Sequence, residues 1–198
     1  MPHYHALGNI PHKRHTQFRQ PDGSLYSEQL FSTEGFSYNY SLLYHIHPPT
    51  KIIRSEAPRD VNPVIATTHI LKHRSFQGFK VQPMADYLES RRPVLVNNDC
   101  HITLAAPQQS MKDYFYKNAD ADEVLFIHEG SGKLLTQYGE LSFSYGDYVV
   151  VPRGTIYQIH FDTPDNRLFI VESFGPIRFP KRYKTTEGQL MEHAPFCE

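Results

Sequence analysis

The chain has 198 residues, of which 39% are hydrophobic and 21% charged, a length that allows one large domain with a packed core. The 20 basic and 21 acidic side chains give a net charge of −1, which argues against partners such as nucleic acid or an anionic membrane. No run approaches the roughly 18 apolar residues of a membrane span, no signal peptide is visible and only two cysteines occur, so a cytoplasmic protein is expected.

The first half of the chain predicts irregular structure with a few short elements. Residues 1–23 are predicted to form an extended N-terminal arm that ends in the turn Pro21-Asp22-Gly23. Strand-like runs follow over 24–31, 40–47 and 65–72, and they are separated by prolines, which cannot donate to a ladder. The best helical candidate is 84–91, which prolines 83 and 93 enclose.

From residue 94 onwards the pattern becomes strongly β. Apolar or alternating runs, separated by turns that often contain glycine, occur over 94–96, 102–106, 123–128, 133–138, 141–145, 148–151, 156–161 and 168–174. Short strands at such regular spacing predict an antiparallel sandwich or barrel, here a β domain over 24–174. Residues 175–198 carry three prolines and little periodicity, so they are predicted to form an irregular tail or a linker.

Landmarks within residues 116–160 resemble the two conserved sequence blocks of the cupin superfamily. Glu123, six residues and Gly130 match the end of the first block, and Gly146, Pro152 and Gly154 match the second. The glycines permit turn conformations that other residues avoid, and the proline closes a strand. The resemblance implies an all-β, cupin-type jelly-roll sandwich or barrel.

Metal-binding cupins have histidines at positions where this chain has other residues. With a three-residue spacer before Glu123, the two first-block positions fall on Lys117 and Ala119; with a four-residue spacer they fall on Tyr116 and Asn118. The second-block position is Tyr157. Because a metal site needs about three protein ligands, Glu123 alone cannot hold one. We therefore predict no catalytic, metal-binding or cofactor-binding residues in this barrel, only vestigial positions.

Alternation along the strands predicts which side chains face the interior. If Glu123 points inwards, Leu125 and Ile127 do so too, and His128 points outwards. On the strand that holds Tyr157, the predicted inward residues are Tyr157, Ile159 and Phe161, and His160 points outwards. If the chain is a stand-alone cupin without a metal, the inward side chains of Leu125, Tyr157, Ile159 and Phe161 would line a small apolar pocket.

Three other groups of polar residues lie outside the two cupin blocks. His45 and His47 lie two residues apart on a predicted strand and share a face, so with His69 or His73 as third ligand they form an alternative metal hypothesis. Cys100-His101 is interpreted as a buried structural thiol beside a histidine, because adjacent residues on a strand point apart. Arg91-Arg92 is interpreted as a solvated basic cluster.

Several segments resemble one family in particular, homogentisate 1,2-dioxygenase. They are GNIPHKRH at 8–15, SLYSEQL at 24–30, LLY at 42–44, VNND at 96–99, and YKNADADE at 116–123 with Arg153-Gly154. Members of that family are roughly twice as long and have two cupin-like halves. The resemblance identifies this chain with the N-terminal half, which would continue after 175–198 into a second half.

The resemblance also implies an activity for the complete enzyme. A non-haem Fe(II), held by two histidines and a glutamate in the C-terminal half, would open the ring of homogentisate with O₂ to give maleylacetoacetate, in tyrosine and phenylalanine catabolism. This half would supply scaffold and oligomer contacts in a trimer or hexamer, with a small aromatic acid as substrate. The alternative is a stand-alone metal-free cupin that serves as a small-molecule binding or assembly module.

Overall fold

A computed structural model describes residues 17–36, 40–67, 72–187 and 189–195. Strands dominate these ranges, and the one α-helix that they contain has four residues. The elements are β1 Ser27–Ser32, β2 Tyr40–His45, α1 Tyr87–Ser90, β3 Arg92–Val96, β4 Cys100–Ala105, β5 Tyr116–Lys117, β6 Asp122–Glu129, β7 Gly132–Thr136, β8 Gly139–Phe143, β9 Tyr148–Val151, β10 Ile156–Phe161 and β11 Arg167–Ser173. Single 3-10 turns lie at Gly78–Lys80 and Lys181–Tyr183.

Strands β3 to β11 form two antiparallel sheets with the hydrophobic core between them. One sheet has the order β3-β4-β11-β6-β9 and the other β5-β10-β7-β8, while β1 and β2 pair as a separate hairpin. The chain passes from one sheet to the other after β4, β5, β6, β8, β9 and β10, as in a jelly roll. Both sheets contribute to the core cluster, which comprises Tyr87, Ala105, Met111, Leu125, Ile127, Leu134, Phe143, Val151, Tyr157, Ile159, Leu168 and Ile170. The predicted all-β cupin-type fold is confirmed.

The predicted alternation of inward and outward side chains is confirmed on the two strands that matter most for the site. On β6, Glu123, Leu125 and Ile127 are 0%, 2% and 1% exposed. On β10, Tyr157 and Ile159 are buried. His128 and His160 are half-buried on the opposite faces. The His128 ring packs on Phe79 with centroids 4.8 Å apart, and His160 Nε2 lies 2.7 Å from Gln158 Oε1.

The cupin landmarks adopt the conformations that the sequence predicts. Gly130, Gly146 and Gly154 have φ values of 101°, 91° and 81°, in the region that favours glycine. Strand β9 ends at Val151, immediately before Pro152. The landmarks therefore close the turns that join the two sheets.

The helix is shorter than the predicted span 84–91. Its start is set by Asp86, whose carboxylate accepts a hydrogen bond from the Glu89 backbone N–H at 3.0 Å. Met84 lies outside the helix because its backbone N–H donates to the Ala106 carbonyl at 3.1 Å, a pairing with the chain after β4. At the other end, Arg91 is already extended and β3 begins at the next residue.

The long connection between β2 and α1 has little regular structure. The predicted strand over 65–72 is wrong for 65–67 and 72, which are irregular, and 68–71 lie outside the described residues. Of the predicted arm, 17–23 form a turn with a bridge between Arg19 and Leu25, and 1–16 lie outside the described residues. In the predicted tail, one bridge joins Lys184 to Leu190. None of the helices in the described ranges is long and apolar enough to cross a membrane.

Candidate functional site

The interior of the sandwich contains one fully buried carboxylate. Glu123 projects from β6 between the two sheets, and its side chain is 0% exposed. Its Oε2 accepts a hydrogen bond from Tyr157 Oη on β10 at 2.6 Å, and its Oε1 accepts one from Arg91 Nη1 at 3.1 Å. The carboxylate that marks the first cupin block is therefore held by a phenol and a guanidinium.

Arg91 brings a positive charge to this interior. Its side chain is 13% exposed, and besides Glu123 it binds Glu172 of β11, with Nη2 2.7 Å from Oε1. Nη1 also donates to Tyr116 Oη at 3.3 Å. The guanidinium carbon lies 5.4 Å from the centroid of the Tyr87 ring and 5.8 Å from that of the Tyr116 ring, within range of cation–π attraction.

The local sequence explains how Arg91 reaches the interior. Tyr87 and Arg91 are four residues apart across α1, a spacing that places both side chains on the same face of a helical turn. Arg91 itself is extended, so the side chain of the next residue, Arg92, points the other way and is exposed. The prediction that Arg91-Arg92 is a solvated cluster is correct for Arg92 and wrong for Arg91.

A second carboxylate faces Glu123 from the neighbouring strand. In the β6–β11 ladder, Glu172 is the direct cross-strand partner of Glu123. Its Oε1 accepts a hydrogen bond from Asn118 Nδ2 at 3.1 Å, and its Oε2 one from Thr103 Oγ1 at 3.4 Å. Because like charges in directly opposite positions repel, the pair depends on Arg91, which contacts both carboxylates.

Burial dominates the ionisation of this cluster. It raises the pKa of Glu123 above its ordinary value, while the charge of Arg91 and the hydrogen bond from Tyr157 oppose the rise. Burial also raises the pKa of Tyr157, of Tyr87 and of Tyr116. The three phenols therefore stay protonated at neutral pH and act as neutral hydrogen-bonding groups.

The structure distinguishes the two registers left open for the first cupin block. Tyr116 and Asn118 face the cluster, where they contact Arg91 and Glu172. Lys117 and Ala119 are exposed. The four-residue spacer is therefore the one that applies, and the positions corresponding to the cupin histidines are Tyr116, Asn118 and Tyr157.

These residues do not fit the metal ion that the cupin resemblance suggests. Phenols with raised pKa values and an amide are poor ligands for a divalent metal, and the guanidinium of Arg91 already binds Glu123. Within the ranges that the structure describes, no group of three histidine, cysteine, aspartate or glutamate side chains is placed to hold a metal.

The alternative histidine site is not assembled in the described part of the chain. His45 Nε2 lies 2.9 Å from Gln29 Oε1 on the paired strand, and His47 is exposed beyond the end of β2. His69 lies outside the described residues. Cys100 is a half-buried free thiol, and the His101 ring packs on Phe174 with centroids 5.0 Å apart.

The predicted pocket behind Tyr157 is filled. Leu125, Tyr157 and Ile159 belong to the core cluster, and Phe161 packs against it, because the two sheets close on each other at these positions. A cavity of about 150 Å³ lies elsewhere and is lined by Leu134, Thr136, Tyr138, Gly139, Leu141, Val150, Val151, Pro152 and Thr155. A groove of about 580 Å³ lies between residues 76–80 and the outer face of the five-stranded sheet.

Sequence reasoning missed three members of the cluster, namely Arg91, Glu172 and Tyr87. A signal for Arg91 exists: a glutamate at a buried strand position with no metal ligands nearby requires a compensating cation. Arg91, directly after the short helix and four residues from Tyr87, supplies that cation. Glu172 lies two and four residues after Ile170 and Leu168 on its strand, so alternation places its side chain on the same inward face as these buried residues.

Comparison with known proteins gives a match over most of the chain. A family model described as homogentisate 1,2-dioxygenase N-terminal matches residues 7–183. A protein of Saccharolobus solfataricus that carries the name "Putative dioxygenase" is 34% identical over 189 residues, which cover 96% of this chain and 48% of that protein. The chain thus spans about half the length of this relative.

Solved structures resemble parts of the chain. A cupin-2 domain protein of Shewanella frigidimarina matches 42% of this chain and 79% of its own length, with 21% identity and a TM-score of 0.38. A cupin superfamily protein of Desulfitobacterium hafniense matches 55% of this chain and 98% of its own, with 11% identity and a TM-score of 0.43.

Proposed function

The chain belongs to the homogentisate 1,2-dioxygenase N-terminal family, and we propose that it is the metal-free half of a dioxygenase that opens the ring of homogentisate with O₂. Its role is to provide scaffold and interface, while a C-terminal half carries the non-haem Fe(II) and the chemistry. The product is maleylacetoacetate, and the setting is tyrosine and phenylalanine catabolism in the cytoplasm.

The observation that supports a scaffold role is the filled centre of the barrel. Glu123 is fully buried, and its carboxylate accepts hydrogen bonds from Arg91 at 3.1 Å and from Tyr157 at 2.6 Å. The side chains of Leu125 and Ile159 close the space behind it. A substrate has no room in this interior, which also argues against the alternative of a stand-alone module that binds a small molecule there.

An interface role is supported by the outer face of the five-stranded sheet, where two rows of apolar side chains run across the strands, the second bounded on β3 by Arg92, the partner of Leu104. Strand register aligns the side chains that point away from the core in two rows. A single antiparallel sheet with one solvated face would carry polar residues here. The rows are Leu95, Ile102, Val171, Val124 and Val150, and Leu104, Phe169, Phe126 and Tyr148.

We propose that the C-terminal half covers this face. The rows include side chains that are strongly exposed in the chain by itself, among them Tyr148 at 70% and Leu95 at 51%. A contiguous apolar face of this kind marks an interaction surface. The relative of S. solfataricus is about twice as long as this chain, so a second half is available to occupy it. Assembly of the complete protein into trimers or hexamers is part of the same proposal.

Oxygen uptake tests whether the C-terminal half alone carries the iron and the chemistry. This chain is purified alone, and also co-expressed with the C-terminal half of the S. solfataricus relative; both are supplied with Fe(II) and homogentisate. We expect uptake and a ring-cleavage product only when the C-terminal half is present. Turnover by this chain alone would overturn the proposal, as would a pair that associates with bound iron but turns over nothing.

A matched pair of variants tests the interface. Phe169→Lys places a charge in the middle of the apolar face, whereas Tyr145→Lys places one on an exposed residue, 73% exposed, after β8. We expect Phe169→Lys to abolish co-purification with the C-terminal half while Tyr145→Lys leaves it unchanged. Equal co-purification of both variants would exclude this face as the contact.

A further inference from the structure

We infer that the Arg91 guanidinium is the internal cation of this barrel, in the place that a metal ion takes in metal-binding cupins. The barrel is therefore a cupin whose metal has been replaced by a protein side chain, and its integrity depends on that charge. This inference does not depend on the proposed function, because it concerns only contacts within the chain.

The first argument is position. Arg91 Nη1 contacts Glu123 at 3.1 Å and Tyr116 at 3.3 Å. Tyr157 does not contact Arg91 itself but donates a hydrogen bond to Glu123 at 2.6 Å. Asn118 in the same way donates a hydrogen bond to Glu172, the other carboxylate that Arg91 contacts. The residues at the four positions that hold ligands in metal-binding cupins are thus grouped around one guanidinium.

The second argument is charge. Glu123 and Glu172 face each other across the β6–β11 ladder, with side chains 0% and 14% exposed. Two buried carboxylates side by side need a cation between them, because a buried charge without a partner is strongly unfavourable. Arg91 supplies it with one terminal nitrogen on each carboxylate, 3.1 Å from Glu123 and 2.7 Å from Glu172.

The third argument is that both terminal nitrogens of the guanidinium are engaged within the chain. Each contacts a carboxylate, and the rings of Tyr87 and Tyr116 lie 5.4 and 5.8 Å from its central carbon. These nitrogens therefore bind the protein's own carboxylates. The role of the guanidinium is to neutralise the interior, as a metal would.

If the Arg91 guanidinium takes the place of a metal ion, the barrel should not hold both at once. Two variants test this: Tyr116→His/Tyr157→His, which adds two imidazoles near Glu123, and the same pair with Arg91→Ala in addition. Binding of Co(II) is followed by visible absorbance and by calorimetry. We expect one Co(II) per chain only in the triple variant, with an affinity at least about 100-fold higher than in the double variant, since a fixed positive charge opposes the ion.

Equal Co(II) affinity of the double and triple variants would overturn the inference, because Arg91 would then not compete with a metal. Absence of binding in the triple variant, while it unfolds at the same temperature as the double variant, would also overturn it. Zn(II), which has no visible spectrum but the same tetrahedral preference, provides the second probe by calorimetry.

A stability cycle tests the charge role without any metal. Urea unfolding is measured for Arg91→Met, Glu123→Gln and the double variant, with Arg92→Met as the control on the exposed neighbour. Glutamine keeps an acceptor for Tyr157 but removes the charge. We expect Arg91→Met to lower the folding constant by at least about 100-fold in the wild-type background. Once Glu123 is neutral the loss should be smaller by about tenfold, because Glu172 at 2.7 Å is then the charged partner that remains.

Equal losses in the two backgrounds would overturn the inference, as would an Arg91→Met variant that is as stable as Arg92→Met. If Arg91→Met does not fold, Arg91→Lys decides, because lysine keeps the charge and loses the planar geometry. Folding of Arg91→Lys supports the charge role, and failure of both variants overturns it.

Discussion

The cost of losing Arg91 should depend on pH, because it arises from a titratable partner. Arg91→Met retains much of the apolar stem and removes the charge beside Glu123, whose side chain is fully buried. Removing one partner of a buried ion pair typically costs about 3–5 kcal/mol of unfolding free energy, and the 13% exposure of Arg91 leaves little solvent to reduce that cost. We expect a loss of this size at pH 7.

The sign of the pH dependence follows from the pKa of Glu123. Burial raises it above the ordinary value of 4.5, and Arg91 holds it down. In the variant the folded-state pKa is higher still, so the folded state retains a proton that the unfolded state has lost. Stability relative to the wild type is therefore best below the unfolded pKa of about 4.5 and falls as pH rises through the folded pKa.

The measurement is urea unfolding of both proteins between pH 4.5 and 8, with the difference in unfolding free energy plotted against pH. We expect the difference to shrink towards the acid end, as Glu123 takes up its proton and its ion pair with Arg91 is lost in both proteins. The part that remains reflects the contacts of Arg91 with Glu172 and with the Tyr87 and Tyr116 rings. Because Arg91 contacts both Glu123 and Glu172, the control is the same comparison in a Glu123→Gln/Glu172→Gln background, where the difference should not vary with pH. A difference that stays constant from pH 4.5 to 8 in the native background would refute the reasoning.

Two further stability predictions concern the same region. Tyr157→Phe removes the hydroxyl that donates to Glu123 at 2.6 Å, so urea unfolding should show a loss of about 1–3 kcal/mol in unfolding free energy. The loss should be smaller, without vanishing, when Glu123 is also replaced by Gln, because the amide oxygen still accepts the hydrogen bond but carries no charge. Gly132→Ala places a Cβ 2.1 Å from the His160 carbonyl oxygen on the paired strand, so the midpoint temperature of thermal unfolding should fall by more than about 6 °C. In Gly23→Ala the new Cβ meets nothing within 4 Å, although φ is +84°, so the midpoint temperature should fall by less than in Gly132→Ala. Equal falls in the two variants would contradict the packing argument.

The fold from residue 94 onwards was predictable because its signals are local. Strand β9 ends at Val151 before Pro152, and β10 matches the predicted 156–161. Alternation assigned Glu123 and Tyr157 to the interior correctly, since the side chains of a strand must alternate. The strand predicted over 65–72 is wrong for 65–67 and 72, because these residues pair with no strand in the described part of the chain and sequence alone does not reveal pairing.

The sequence by itself determined the family, the β architecture and the absence of histidines from the cupin ligand positions. Each of these is a matter of residue type and spacing. Only the tertiary structure decided what stands in the centre of the barrel. Arg91 lies 32 residues before Glu123 and 81 before Glu172, outside the strands that carry them, so the contacts that distinguish it from the solvated Arg92 are all long-range in the sequence. Long-range packing brings a cation to two carboxylates because the interior cannot hold their charge alone.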